Sequence, residues 1–178
     1  GNFMKKIYTM LLLVFAIITL VGITVFADGN RTKIEGNTFI EIEDYNIMRQ
    51  PMTIYKDETA SGGVYVGTTV NSYQMNSPKR DYEHLTYDIT VPDTDSYFVW
   101  LRIRTPNHDH IYINFDDGVY KNKKKDSHAK ENLNEWTWCL MDKYWLTEGD
   151  HTLKIRYSSP NVQYDAIYIT DDYKFIPE

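Results

Sequence analysis

Past residue 40 the apolar residues of this chain come in short alternating runs, and nowhere do they recur with the 3.6-residue period of a helix. Val, Ile, Tyr, Thr and Phe dominate these runs, which is the composition of strands. The clearest cover residues 39–43, 64–66, 85–91, 97–104, 111–115, 137–141, 152–157 and 166–170. Clusters such as Ser61-Gly-Gly63, Pro92-Asp-Thr-Asp-Ser96, Asp116-Asp-Gly118 and Thr147-Glu-Gly-Asp150 separate them with turn chemistry. Many short strands without a repeat unit predict an all-β chain, an antiparallel sandwich or barrel. Residues 97–104 show the pattern best. Tyr97, Val99, Leu101 and Ile103 share one face and should enter the core, while Phe98, Trp100, Arg102 and Arg104 share the other. Large aromatics on an outer face need a cover or a ligand, so Trp100 is predicted either beneath a long loop or in a ligand platform.

The same alternation makes Phe39-Ile-Glu-Ile-Glu-Asp-Tyr45 informative. Ile40 and Ile42 would enter the core, leaving Glu41 and Glu43 about 7 Å apart on the opposite side. Asp165, in Tyr164-Asp-Ala-Ile-Tyr-Ile169, lies on a strand near the other end of the chain. If the terminal strands pair, three carboxylates meet. Hard oxygen ligands of this kind suit Ca²⁺, which takes six to eight oxygens and accepts loop carbonyls for the rest.

Several segments follow in order: Ala60-Ser-Gly-Gly-Val-Tyr-Val-Gly67, Ile89-Thr-Val-Pro92, Ser96-Tyr-Phe-Val-Trp-Leu-Arg102, Asn114-Phe-Asp-Asp-Gly118, Trp136-Thr-Trp138, Leu146-Thr-Glu-Gly-Asp-His-Thr-Leu153 and Gln163-Tyr-Asp-Ala-Ile167. With the paired glutamates, this ordered set resembles the non-catalytic carbohydrate-binding modules of families 6 and 35 and related modules attached to polysaccharide lyases. The likeness runs from about residue 39 to 177. It implies a jelly-roll β-sandwich with a structural Ca²⁺ held by Glu41, Glu43 and Asp165 and by backbone carbonyls of the 56–61 loop. It also implies a ligand cleft among the loops at one end, with Trp136 stacked on the sugar and Trp138 as a second candidate. Family 6 modules carry another aromatic after the Gly-Gly strand. Here the place just after Gly67 is threonine, so Tyr73 can serve only if its loop folds back. Where the family has an asparagine two residues before the late aspartate, this chain has Gln163, with Asn161 as a substitute.

The N-terminus carries Lys5-Lys6, an uncharged apolar run over 7–26, and Val25-Phe-Ala27 ahead of Asp28. This reads either as a secretory signal cleaved after Ala27 or as a retained membrane anchor. Both place the folded part outside the cytoplasm, secreted or held at the cell surface. The division expected is 1–27 signal or anchor, 28–38 polar lead-in and 39–178 sandwich. Residues 1–27 hold two lysines and no acid, so the remainder has 17 basic against 25 acidic side chains, net −8. That balance opposes nucleic-acid binding. Cys139 is the single cysteine and is expected buried, so no internal disulfide forms. His108-Asp-His110 lacks a third ligand at zinc spacing and reads as a loop. The run Lys121-Asn-Lys-Lys-Lys125 reads as a solvated loop that could meet a uronate-bearing glycan. No phosphate loop, zinc pattern or nucleophile elbow occurs, and no acid pair stands out for glycoside hydrolysis. The sequence therefore predicts a binding module, not an enzyme. Its rival is a surface or filament subunit that self-associates through edge strands and the N-terminal segment.

Overall fold

The computed structural model describes residues 31–69, 85–105, 110–118, 121–124, 134–156 and 162–178, and Arg31–Glu178 forms one compact unit. The N-terminal segment, Tyr73, Asn161, Lys125 and His108 lie outside the described residues. The strands are β1 (Thr32–Lys33), β2 (Thr38–Glu41), β3 (Ile47–Met48), β4 (Thr53–Lys56), β5 (Val64–Gly67), β6 (Leu85–Val91), β7 (Asp95–Arg104), β8 (His110–Phe115), β9 (Lys121–Lys124), β10 (Thr137–Leu146), β11 (Gly149–Arg156) and β12 (Gln163–Thr170). A single 3-10 turn, Ser61–Gly63, precedes β5. One sheet has the order β1-β6-β11-β8-β9, with β3 also on β6; the other has β10-β7-β12-β5-β4, with β2 also on β12. The β1–β6 pair is parallel and the rest are antiparallel. This is a β-sandwich of jelly-roll type.

The alternation anticipated for β7 is what packs the sandwich. Tyr97, Val99, Leu101 and Ile103 are buried, as are Leu85, Tyr87, Ile89 and Val91 of β6 and Leu153 and Ile155 of β11. β12 adds Tyr164, Ile167 and Ile169, and Cys139 is buried with them. Two strands of opposite sheets that present aliphatic rows to each other remove them from water together, which is the main driving term for such a fold.

Four expectations need correction. β2 stops at Glu41: Asp44 N–H donates to the Glu41 carbonyl (3.1 Å), so Ile42 and Glu43 sit in a turn. Ile42 stays buried, and its carbonyl accepts the Tyr87 hydroxyl (2.6 Å). The apolar pattern continued one residue beyond the strand because the turn keeps Ile42 inside. The 28–38 lead-in is partly structural, since Thr32–Lys33 pairs with β6 and Ile34 is buried. Lys121–Lys124 is no loop but an edge strand paired with β8, on the sheet that does not carry Trp136. Finally, Trp100 is buried at 8% exposure, so its ring is not presented to a ligand. It lies opposite Leu140 and Tyr168, among the side chains that cover this part of the outer face.

One polar tie fixes β11 to the turns that follow β8 and β10. His151 on β11 sets Nδ1 against Asp116 Oδ2 (2.7 Å) and Nε2 against the Thr147 carbonyl (2.7 Å). Both partners are acceptors, and only the imidazolium donates from both nitrogens. Burial pushes its pKa down, but Asp116, the Thr147 carbonyl and the Asp150 charge outweigh this and hold it above 6.5. A raised pKa stabilises the fold below the unfolded value and loses that contribution as pH rises through the folded one. The melting temperature of the wild type should therefore exceed that of His151→Gln at pH 6, with the gap narrowing toward pH 9. A gap that is constant with pH would refute the charged tie.

Candidate functional site

β12 is the centre of the second sheet, with β7 on one side and β2 and β5 on the other. Its ladder with β7 passes from Tyr164↔Ile103 to Ala166↔Arg102, which leaves Asp165 as the extra residue of a β-bulge. A bulge re-aims a side chain. Asp165 is thereby brought toward Arg102 although neighbouring β12 residues enter the core. It is fully buried, with Oδ1 accepting from Ser61 N–H (2.8 Å) and Oδ2 ion-paired to Arg102. Burial pushes the Asp165 carboxyl up; Arg102 and the Ser61 amide oppose that shift.

Glu41 and Glu43 converge on the same 3-10 turn. Ser61 Oγ donates to Glu41 Oε1 (2.7 Å), and a Cβ on Gly62 would overlap Glu43 Oε1. Gly62 also has a φ of 62°, so glycine is required both by backbone conformation and by the close approach of Glu43. Burial, followed by the charges of Glu41, Asp44 and Asp165, raises the Glu43 pKa despite a backbone hydrogen bond that lowers it. Glu41 Oε2 and Glu43 Oε2 are buried without a hydrogen-bond partner. Orphaned carboxylate oxygens in such a place fit a hard cation. The three carboxylates nevertheless do not close around a single point: among the described residues no group of three Asp, Glu, His or Cys side chains is placed to hold a metal by itself. Asp165 and Glu41 meet at Ser61, through its amide and its hydroxyl, and Asp165 is also paired with Arg102.

Beside this cluster a row of outward side chains crosses the whole sheet. Trp136 precedes β10, Arg104 ends β7, Gln163 opens β12 opposite Arg104, and Tyr65 of β5 lies opposite Tyr55 of β4. Arg104 is the hub. Its Nε donates to Gln163 Oε1 (2.6 Å) and its Nη2 to Asp57 Oδ2 (2.6 Å), and its guanidinium lies 4.3 Å from the Trp136 ring centroid and 5.7 Å from that of Tyr65. Trp136 Nε1–H donates to Thr59 Oγ1 (3.1 Å), and Thr59 donates through Oγ1 and its amide to Asp57 Oδ1. Those Thr59 bonds, then Arg104, depress the Asp57 pKa to about 2, so the network stays charged at neutral pH. Tyr65 tilts against Trp136 at 5.8 Å and stacks on Tyr55 at 5.2 Å, and its hydroxyl accepts from Gln163 Nε2 (3.4 Å).

Trp136 and Gln163 thus both meet Arg104. Trp138 stands apart. Its ring meets Phe39 (6.3 Å, 74°) and Tyr168 (5.1 Å, 48°), and its Nε1–H donates to the Glu178 carbonyl (3.1 Å). Rings set at such angles pack as a cluster rather than form a flat platform. The aromatic partner of Trp136 is Tyr65, two residues before Gly67. Sequence reasoning missed it, along with Tyr55, Asp57, Thr59 and Arg104. The alternation Val64-Tyr-Val66 already turns Tyr65 outward, and that was the available signal.

The sequence matches no protein-family model and no curated protein. Solved structures are similar. A family 35 carbohydrate binding module from Clostridium thermocellum aligns at a TM-score of 0.58 and 20% identity, over 75% of this chain and 98% of that one. A GH26-CBM35 beta-(1,4)-mannanase from Podospora anserina aligns at 0.59 and 16% identity, over 81% of this chain but only 29% of the mannanase. A mosquito-larvicidal Cry4Aa toxin from Bacillus thuringiensis also aligns, at 0.55 and 11% identity, over 85% of this chain and 26% of that one. The fold is that of the family 35 carbohydrate-binding modules. That its sandwich is shared with a toxin shows why fold alone does not assign a function.

The half-buried state of Trp136 carries a test. Trp136→Ala should lower unfolding free energy by about 1 kcal/mol, the scale of an exposed cation–π contact. A loss of about 3–5 kcal/mol in urea unfolding would instead mark a core ring.

Proposed function

We propose that this chain is a non-catalytic carbohydrate-binding module of the extracellular space, with a structural Ca²⁺ and an aromatic site for a glycan. The observation that carries the reading is the row Trp136, Arg104, Gln163, Tyr65 and Tyr55 at one end of a sandwich with the family 35 fold. A sugar offers C–H faces and rings of hydroxyls. Trp136 supplies a ring for the former, held in orientation by Thr59 and Arg104, and Gln163 and Tyr65 supply amide and hydroxyl groups for the latter. Glu41, Glu43 and Asp165 are the residues that would hold Ca²⁺. When bound, the ion would neutralise clustered carboxylates and tie β2, β12 and the 3-10 turn together.

The charge of the site favours no ligand sign. Arg102 and Arg104 are both engaged by carboxylates, and the lysine strand β9 belongs to the other sheet. A neutral glycan is the ligand this reading expects. The rival role, a self-associating surface subunit, has Trp145 on the edge strand β10, 68% exposed. The bulge between Leu140 and Asp142 and the exposed Lys143 on that strand oppose edge-to-edge pairing.

A glycan array with and without calcium tests the proposal. The expected outcome is binding of a defined neutral polysaccharide, lost in Trp136→Ala while the fold is kept. Calcium should raise the melting temperature by several degrees through mass action, and a chelator should reverse this. No glycan bound under either condition, or Trp136→Ala binding as well as the wild type, would refute the assigned site.

A further inference from the structure

Resting on the calcium part of that reading, we infer that Arg102 is a built-in rival of the cation for Asp165, and that a cation engaging Asp165 shifts the Arg102 guanidinium toward Trp136. Asp165 has no exposure, and its two oxygens already have partners: Oδ1 with the Ser61 amide, Oδ2 with Arg102. An ion that takes Asp165 as a ligand must displace or share one of them. The Ser61 amide is fixed by the turn that also holds Glu41 through Ser61 Oγ. Arg102 sits on a long side chain that is 27% exposed and can move.

Charge points the same way. An unpaired buried carboxylate is strongly destabilising, so without a cation Asp165 depends on Arg102. With a divalent ion beside it, the guanidinium becomes a like charge at close range, and its hold on Asp165 weakens. Arg102 also has somewhere to go: its guanidinium carbon already lies 5.9 Å from the Trp136 ring centroid, where Arg104 occupies a closer position. The orphaned oxygens Glu41 Oε2 and Glu43 Oε2 are the part of the cluster that Arg102 does not serve. Two properties follow. The domain folds without calcium, and the cation cluster and the Trp136 site are energetically linked, each raising or lowering affinity at the other by the same factor.

Calcium titration by calorimetry, on the wild type and on Arg102→Gln, tests this. The variant should bind Ca²⁺ about tenfold more tightly, equivalent to ~1.4 kcal/mol, a modest value beside couplings measured for close charge pairs. Its chelated form should melt lower than the chelated wild type, with calcium narrowing the difference. If the variant fails to fold, the Arg102 Nε–H resonance of the wild type gives the answer: it should shift on calcium saturation. Equal calcium affinities, or a resonance that stays put in a protein that does bind calcium, would overturn the rivalry and leave the calcium site intact. Absence of binding by both proteins would overturn the calcium reading and the rivalry with it.

Discussion

Asp165 is a fully buried carboxyl paired with Arg102, and the surroundings follow from that one fact. A β-bulge must turn its side chain away from the aliphatic interior, Arg102 must reach across from β7, and the Ser61 amide must close over it. The last of these fixes the 3-10 turn, and the turn fixes Glu41 by a hydroxyl and Glu43 by the missing Cβ of Gly62. Arg102 comes from a strand and Ser61 from a turn, the latter 104 positions away in sequence. Strand pairing is antiparallel and regular around this point; the irregularity is concentrated at the residue that holds the charge.

The loop from Asp57 to Gly63 joins this cluster to the aromatic row. At one end Asp57 and Thr59 hold Arg104 and Trp136; at the other Ser61 and Gly62 hold the carboxylates. Hydrogen bonds within the loop, from Ala60 N–H to the Asp57 carbonyl and from Gly63 N–H to the Ala60 carbonyl, make it a short rigid piece rather than two independent halves. Arg102 and Arg104, two positions apart on β7, face the same way and serve the two ends.

Much of the fold was legible. Residues 85–91 and 97–104 alternate cleanly because each has one face in the core, and β6 and β7 occupy those positions. β9 was not legible: Lys-Asn-Lys-Lys offers no apolar residue, and what makes it a strand is its ladder with β8, which no local pattern encodes. β4 was not legible either, being four residues long and mostly exposed. In the site, Trp136 and Gln163 could be singled out through the family resemblance, which implies a stacking tryptophan and an amide at those places. Arg104 with Asp57 could not, since that pair closes only when β4, β5, β12 and β7 stand side by side. Glu43 approaches Gly62 beside Glu41 by a route the strand pattern does not describe. Its position comes from a turn anchored by Tyr87, not from strand parity.

The guanidinium of Arg104 lies against one face of the Trp136 ring. A ligand can therefore stack on that tryptophan from one side only, and Tyr65, tilted 57° against it, does not form an opposite jaw. In the proposed role, none of the described residues has to open before such a ligand departs. Its residence time is then set by how many contacts break at once rather than by a gating motion, and affinity among related ligands should vary through dissociation rates. In the proposed role such a surface would trade hold for turnover, releasing a polymer and recapturing it at the next segment without rearrangement of the sandwich beneath.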